Sequence, residues 1–466
     1  MDQLTDDMII QTSNVRVTKL GDMFLLVMAK SQSYLTSETM FSHYKINRPT
    51  YEILKFCEKS RTIKEIKDQF SNFEEEALLK ILEKMIDFGV IKVLTRKVNR
   101  PQSSIDSFPP FVDWTITKYC TAFCKHCMLS ASPFAKKPSL TDRKMMRIAR
   151  KLFDFGTLHI TFLGGESTAV ENFFNIVEYC YERHFSMEID TNGWGINEKI
   201  VKNLREMRDR IFINISLDSH ISEVHDSFRG LRGLFKRAVR AIKLLNEHQI
   251  RFKVNTVLLN ENIETLRDMF DFLRGLNVKH WNISHVLPMG RALKDYWERF
   301  PSPDELVQAF YELYLLTSKA DMLIDFPLNP NNFMNLRPHE WICEHDGLRR
   351  SIGIDDVGNL YLCPRIEETF LGNIWEMRSS HQLLKKSMEN WMWNTTVNDL
   401  PLCKNCELKK ICGGGCRAIA KNLDNSVKGC DILTKKLIES FMNNMLQKIP
   451  QKSQRNFLRL LEPVDS

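Results

Sequence analysis

Hydrophobic and polar positions change their period twice along the chain. In the first hundred residues, "VRVTKL" and "MFLLVM" read as two strands around a Gly21-Asp22 turn. "RTIKEIKDQF" then places Thr62 and Glu65 at capping-box spacing, which predicts a helix start. Leu78, Ile81, Leu82, Met85 and Ile86 follow on one helical face, and "GVIKV" closes the segment as a strand. This order is winged-helix-like over residues 1–98 and has too few acids, histidines or clustered cysteines to carry chemistry, so a binding module is expected. "TRKVNRPQSSIDSFPP" is polar, aperiodic and contains three prolines, which predicts a linker at 99–110.

Beyond it the pattern alternates. "FVDWTIT", "HITFLG", "SMEID", "IFINISL", "FKVNTVLL" and "HWNISHV" are apolar, strand-length runs separated by amphipathic segments such as "DRKMMRIARKLFDF". Apolar strands alternating with helices predict an α/β fold with a parallel sheet. Six units, ending near residue 292, predict a partial (βα)6 TIM-like barrel over 111–310, with its chemistry at the C-terminal strand ends. A bridging region is expected at 311–340. Residues 341–450 are rich in Cys and Gly, and 451–466 form a tail.

Composition narrows the function. With 466 residues, 43% of them hydrophobic, the chain is long enough for two or three domains. Its net charge of +7 is spread among acids and does not call for nucleic acid. No apolar run reaches membrane-spanning length, and "MDQLTDDMII" is acidic where a signal peptide is basic, so a cytoplasmic protein without a membrane partner is expected. Twelve cysteines in a reducing compartment point to metal or cluster ligation in place of disulfides.

Three of them, Cys120, Cys124 and Cys127, form C-x3-C-x2-C directly after the first barrel strand. A structural zinc takes four protein ligands and a catalytic zinc three plus water. A four-iron cluster on three thiolates leaves one iron open. A chance grouping of small buried side chains is the bland alternative. In its place and spacing the triplet resembles the signature of the radical S-adenosylmethionine (SAM) superfamily, and the resemblance covers about residues 110–295. It implies that the open iron is chelated by SAM. "LGGEST" ends the second strand with Gly164, Gly165 and Glu166, matching the family's GGE motif, which meets the SAM amino group. "DTNGW" and "SLDS" place Thr191, Asn192 and Ser216 where the family has polar SAM contacts, and "HDSFRG" offers Arg229 to the SAM carboxylate. "NTVLLNEN" and "LPMGRA" resemble the fifth and sixth strand ends.

The tail continues with Cys343, then Gly358 and Cys363 as G-x4-C, then Cys403, Cys406, Cys412 and Cys416 as C-x2-C-x5-C-x3-C, and Cys430. A zinc ribbon uses two C-x2-C knuckles, and only one is present. The spacing resembles the SPASM extension of radical SAM enzymes, which carries two auxiliary four-iron clusters. That resemblance implies Cys343, Cys363 and Cys416 for the first, which lacks a fourth cysteine, and Cys403, Cys406, Cys412 and Cys430 for the second. Cys57 and Cys180 are left as ordinary buried thiols.

The N-terminal stretch "INRPTYEILKFCEKSRTIKEIKDQF" with the following helix and strand resembles the RiPP recognition element, which binds leaders of ribosomally made peptides by strand addition. The "MFLLVMAK" region is the expected docking edge, with the 74–87 helix as the other wall. Together the resemblances imply a peptide maturase that uses SAM, three [4Fe-4S] clusters, a precursor peptide with a leader and an external electron donor such as flavodoxin or ferredoxin. Hydrogen abstraction by a 5′-deoxyadenosyl radical would lead to Cys-to-carbon thioether crosslinks. Carbon–carbon crosslinking, other side-chain oxidation or epimerisation is the alternative within the class. A non-catalytic leader-binding chaperone or a zinc-stabilised interaction protein is the alternative outside it.

Overall fold

The computed structural model describes residues 5–6, 8–12, 15–20, 23–29, 41–87, 90–94, 104–105, 108–136, 140–295, 300–317, 321–331, 339, 342–343 and 351–461. The expected Gly21-Asp22 turn and most of the 99–110 linker lie outside them. The chain divides into two compact units, Met1–Phe111 with Arg150–Leu158 and Met377–Lys385, and Val112–Ala149 with His159–Glu376 and Lys386–Ser466.

The first unit holds two sheets. Strands β1 (Ile9–Thr12), β2 (Val15–Leu20), β3 (Met23–Ala29), β4 (Phe41–Ile46), β5 (Arg61–Thr62), β6 (Ile91–Leu94) and β7 (Ser104–Ile105) pair in the orders β5-β1-β6 and β4-β3-β2-β7. Helices Arg48–Phe56, Ile63–Gln69 and Glu75–Asp87 lie between β4 and β6 in the chain. The capping box forms as the sequence predicts. Thr62 Oγ1 accepts from Glu65 N at 3.2 Å, while Glu65 Oε2 accepts from Thr62 N at 2.8 Å, so two orphan donors of the helix start are satisfied reciprocally. Ile53, Leu54, Ile63, Ile66, Leu78 and Leu82 pack into one core with Ile91. One expectation is corrected here. β3, the "MFLLVMAK" strand, pairs with β2 on one side and β4 on the other, so it offers no free edge to a peptide.

The second unit is built on a ten-stranded sheet. Its strands are β8 (Phe111–Thr117), β9 (His159–Gly164), β10 (Ser186–Thr191), β11 (Ile211–Ser216), β12 (Phe252–Leu258), β13 (His280–His285), β14 (Leu323–Asp325), β15 (Ser351–Ile354), β16 (Asn359–Tyr361) and β17 (Phe370–Asn373). The order is β14-β13-β12-β11-β10-β9-β8-β15-β16-β17. The ladder from β9 through β14 is parallel, which is what strands alternating with helices must build. The sequence predicts six barrel strands, and the structure adds a seventh, β14, three residues long and paired with β13. Ile160, Phe162, Met187, Ile189, Ile213, Ile215 and Val254 are buried on one face of these strands. The opposite face carries polar groups, including a buried ion pair between Lys253 Nζ and Glu188 Oε1 at 2.8 Å. The antiparallel β15–β17 strands extend the sheet past β8 and carry Cys363 between β16 and β17.

Candidate active site

The cysteine loop starts where β8 ends and is clasped by three separate elements. The first is the end of β9. Gly165 N donates to Thr117 O at 2.7 Å and Glu166 N to Tyr119 O at 2.9 Å, so the Gly-Gly-Glu turn prolongs strand pairing into the loop. This approach leaves no room for a side chain, because a Cβ on Gly165 would lie 2.0 Å from Tyr119 O. The second clasp is the end of helix Ser222–Arg229: Phe123 N donates to Arg229 O at 3.0 Å and Lys125 N to Phe228 O at 3.1 Å. His126, inside the triplet, stacks on Phe228 with centroids 4.5 Å apart. The third clasp follows β13, where Arg291 is buried and donates through Nε to Cys124 O at 2.7 Å and through Nη2 to Ala131 O at 2.8 Å. Gly290 approaches so closely that a Cβ there would stand 2.4 Å from Met128 O.

Within this clasp Cys120 and Cys124 are buried and Cys127 is half-buried. Burial pushes the Cys120 thiol up to about 12, with Cys124, Glu166 and Cys127 adding to the push as nearby negative groups. Cys124 is raised to about 11 by burial, against the pull of Arg229. The three thiols therefore lie within electrostatic reach of one another. Among the described residues no three His, Cys, Asp or Glu side chains converge at single-metal geometry. Three cysteine thiols on one loop are a donor set that fits a four-iron cubane with one open iron.

The remaining predicted contacts form a hydrogen-bonded frame around the loop. Glu166 is buried at 1% exposure and accepts from Thr191 Oγ1 at 2.7 Å and Asn192 N at 2.7 Å, as well as from Thr168 N and the Thr168 hydroxyl. Burial raises its carboxyl and these donors pull it back. Asn192 Nδ2 donates to Thr121 Oγ1 at 3.1 Å, and its Oδ1 accepts from Trp194 N at 2.9 Å. Ser216 stands half-buried at the end of β11. Arg229 is already engaged: its Nε and Nη2 meet Asp218 Oδ2 and Oδ1 at 2.6 and 3.0 Å. Burial would raise Asp218, but the guanidinium beside it holds the carboxyl down at about 2. Asp218 Oδ1 also accepts from Val257 N at 3.1 Å, and Asn262 Nδ2 donates to Asp218 O at 2.7 Å. Asp218, Asn262 and Arg291 are residues that sequence reasoning missed. All three lie in strand-end segments, Asp218 in "SLDS", Asn262 in "NTVLLNEN" and Arg291 in "LPMGRA", but nothing in those segments singles out these side chains.

In the C-terminal region, Cys403, Cys406, Cys412 and Cys430 form a second neighbourhood. Burial raises Cys412 to about 12 with Asp431, Cys403 and Cys430 adding, and burial likewise raises Cys403 and Cys430 with their cysteine neighbours adding. Cys416 opens helix Arg417–Asp424, and its N donates to Asp431 Oδ2 at 2.8 Å. Cys363 N donates to Thr369 Oγ1 at 3.1 Å, and Cys343 follows the buried Ile342. Cys57 and Cys180 are fully buried in helical cores, and burial raises both thiols, Cys57 to about 12.

A cysteine loop clasped at the C-terminal ends of parallel strands defines the class. Residues 114–273 match the model of the Radical SAM superfamily, so this part of the chain is a radical SAM domain. A domain of this class works with SAM and a [4Fe-4S] cluster. The chain is similar to the antilisterial bacteriocin subtilosin biosynthesis protein AlbA of Bacillus subtilis (strain 168), 24% identical over 390 residues that cover 80% of this chain and 84% of AlbA. It is also similar to an AdoMet-dependent heme synthase of Oleidesulfovibrio alaskensis, 25% identical over 69% of this chain and 86% of that protein. The fold resembles that of Streptococcus suis SuiB bound to its precursor peptide SuiA, with a TM-score of 0.67 at 17% identity over 92% of this chain and 99% of that one. Among the described residues, no helix is long and apolar enough to cross a membrane.

Proposed function

We propose that the protein is a radical SAM maturase that modifies a ribosomally made precursor peptide. The observation that carries this reading is the clasped Cys120–Cys124–Cys127 loop at the strand ends of a chain whose likeness to the peptide-bound SuiB spans 92% of its length. That span leaves too little uncovered to omit the first unit. The heme synthase match covers only 69% of the chain.

In this reading Cys120, Cys124 and Cys127 hold the SAM-binding cluster. Loaded with SAM and reduced by a donor such as flavodoxin or ferredoxin, that cluster would supply the 5′-deoxyadenosyl-radical chemistry that removes a hydrogen from the peptide. The protein's own part is mechanical and electrostatic. Glu166 ties the ends of β9 and β10 together through Thr191 and Asn192, so the Gly164-Gly165 backbone is fixed beside the loop where the SAM amino group binds. Arg291 and the Phe228–Gly230 turn keep the loop against the strand ends. Ser216, at the end of β11, would supply a further polar contact to SAM. Arg229 sets the charge of Asp218 and stands beside Cys124, and its approach to the SAM carboxylate is shared with that pairing.

Cys343, Cys363 and Cys416 are assigned to a first auxiliary cluster and Cys403, Cys406, Cys412 and Cys430 to a second. Such clusters would supply an acceptor for the electron released on crosslinking, with a Cys-to-carbon thioether the leading product. The first unit, with its three helices and two small sheets, serves as a winged-helix-like leader module. Since β3 is paired on both sides, the leader adds at an outer strand, and the six-residue β4 is the longest one among the described residues. Holding the leader raises the effective concentration of the core peptide, so side-chain recognition at the barrel can stay weak.

The test is mass spectrometry of a candidate precursor incubated anaerobically with reconstituted enzyme, SAM and reductant. Loss of about 2 Da per site with cysteine protected from alkylation supports a thioether. The same loss with alkylatable cysteine points to a carbon–carbon link. Zinc without sulfide in the purified protein refutes the radical reading.

A further inference from the structure

Arg417 is the one charged residue among the largest fully buried side chains of the described structure. It follows Cys416 and opens helix Arg417–Asp424. Its Nη1 donates to Gly429 O at 2.7 Å and Val427 O at 3.2 Å, on the segment that leads into Cys430. Nη2 lies beside Gly414, in the turn between Cys412 and Cys416. The Nε and Nη2 donors have no hydrogen-bond partner among the described residues, and no carboxylate there pairs with the guanidinium. Asp431, the nearby acid, is occupied with Cys416 N, Thr434 N and Thr434 Oγ1.

A guanidinium cannot escape such a place by losing its proton. A buried charge without a partner is too costly for a stable fold, so an anion belongs beside it. Cys403, Cys406, Cys412 and Cys430 lie within electrostatic reach of one another. Burial is the largest influence on Cys403, Cys412 and Cys430, and Arg417 is among the charges that act back on each of them. Four thiolates around a four-iron cluster make a net anion, which becomes more negative on reduction.

We propose that Arg417 is a positioning residue for the second auxiliary cluster, its free Nε–H and Nη2–H donors facing the anionic cluster on Cys403, Cys406, Cys412 and Cys430 and raising its reduction potential. The inference rests on the assignment of those four cysteines to a cluster. A fixed cation and hydrogen bonds to cluster sulfur favour the reduced state over the oxidised one, which suits a cluster that must accept an electron. By tying the Gly429 carbonyl and lying against the Gly414 turn, the same side chain also joins the two loops that carry Cys412 and Cys430.

The experiment starts from full-length protein in which Cys120, Cys124 and Cys127 are alanine, so that only auxiliary clusters remain, and follows iron, sulfide and an EPR-monitored redox titration. The signal of the second cluster is the one lost with Cys403→Ala. In that background Arg417→Gln moves this signal to lower potential, or releases about four irons, while Arg417→Lys, which keeps the charge, moves it less and keeps the iron. Titration curves that superimpose for Arg417→Gln and its parent at equal iron content overturn the role of Arg417 and leave the cluster assignment standing. A parent protein without iron and sulfide overturns the assignment itself, and the role of Arg417 with it.

Discussion

Arg229 and Asp218 form a buried pair whose removal tests how the cysteine loop is supported. The side chains are 8% and 0% exposed, and two hydrogen bonds of 2.6 and 3.0 Å join them. The Asp218 carboxyl falls from its ordinary 3.8 to about 2 because the guanidinium overrides the effect of burial. At about 1.4 kcal/mol per unit, that shift is worth roughly 2–3 kcal/mol of folded-state stability at neutral pH. Arg229→Gln forfeits this and leaves burial unopposed, so the expected loss is about 3–5 kcal/mol. Asp218→Asn strands the guanidinium instead and costs a similar amount, while the double variant falls short of the sum by about 2–4 kcal/mol.

The pH dependence has a definite sign. A depressed carboxyl stabilises fully above its unfolded value and loses that contribution as pH falls from about 4 to about 2. In Arg229→Gln the buried carboxyl is raised instead, so acidification neutralises it and the gap between the two proteins narrows. Anaerobic urea unfolding, followed through the buried Trp114 and Trp281 of the barrel strands, measures both quantities. Additive single effects, or an Arg229→Gln protein as stable as its parent but weaker only for SAM, would refute the pairing argument and assign Arg229 to the SAM carboxylate.

Four further outcomes follow from the same geometry. Replacing Cys120, Cys124 and Cys127 together with alanine removes deoxyadenosine formation and leaves leader binding intact; normal deoxyadenosine production sinks the assignment. Cys416→Ala keeps some SAM cleavage and loses peptide product, and unchanged product would show the first auxiliary assignment to be wrong. Gly165→Ala puts a Cβ 2.0 Å from Tyr119 O and 3.0 Å from the Cys120 Cβ, so overpacking of at least about 1–3 kcal/mol displaces the loop. Iron analysis should show that one cluster is lost while the far-UV spectrum is unchanged. Arg291→Ala removes the charged donor from the Cys124 carbonyl, which keeps Cys127 N, and leaves the Ala131 carbonyl without its side-chain donor, at about 1.5–3 kcal/mol for each charged hydrogen bond, and should speed iron release to a chelator; an unchanged rate would count against the clasp.

What was legible in the sequence was local or periodic. The Thr62–Glu65 capping box needs only four residues, and six barrel strands announce themselves as apolar runs between amphipathic helices. The Gly-Gly-Glu turn was legible as a motif, but its physical purpose was not: Glu166 is anchored by Thr191 and Asn192, 25 and 26 residues away, and that network is a product of folding. Arg291 reaches back 167 residues to Cys124, a distance no spacing rule spans. β14 escaped notice because "LID" is too short to show a period. The docking edge was misplaced because β4, "FSHYKI", alternates poorly, and without it β3 looks like an outer strand.

The hydrogen-bonded neighbourhood of β8 and β15 has a consequence for electron transfer. Tunnelling rates fall steeply with separation, so a redox chain works only if its stations keep their spacing during turnover. Cys120 lies just beyond the end of β8, and Cys363 just beyond β16, in one uninterrupted sheet. Where Cys363 holds the proposed first auxiliary cluster, the backbone ladder would act as a ruler between it and the cluster proposed on Cys120, Cys124 and Cys127. On that proposal, a substrate would reshape the mouth of the barrel without changing the gap an electron has to cross.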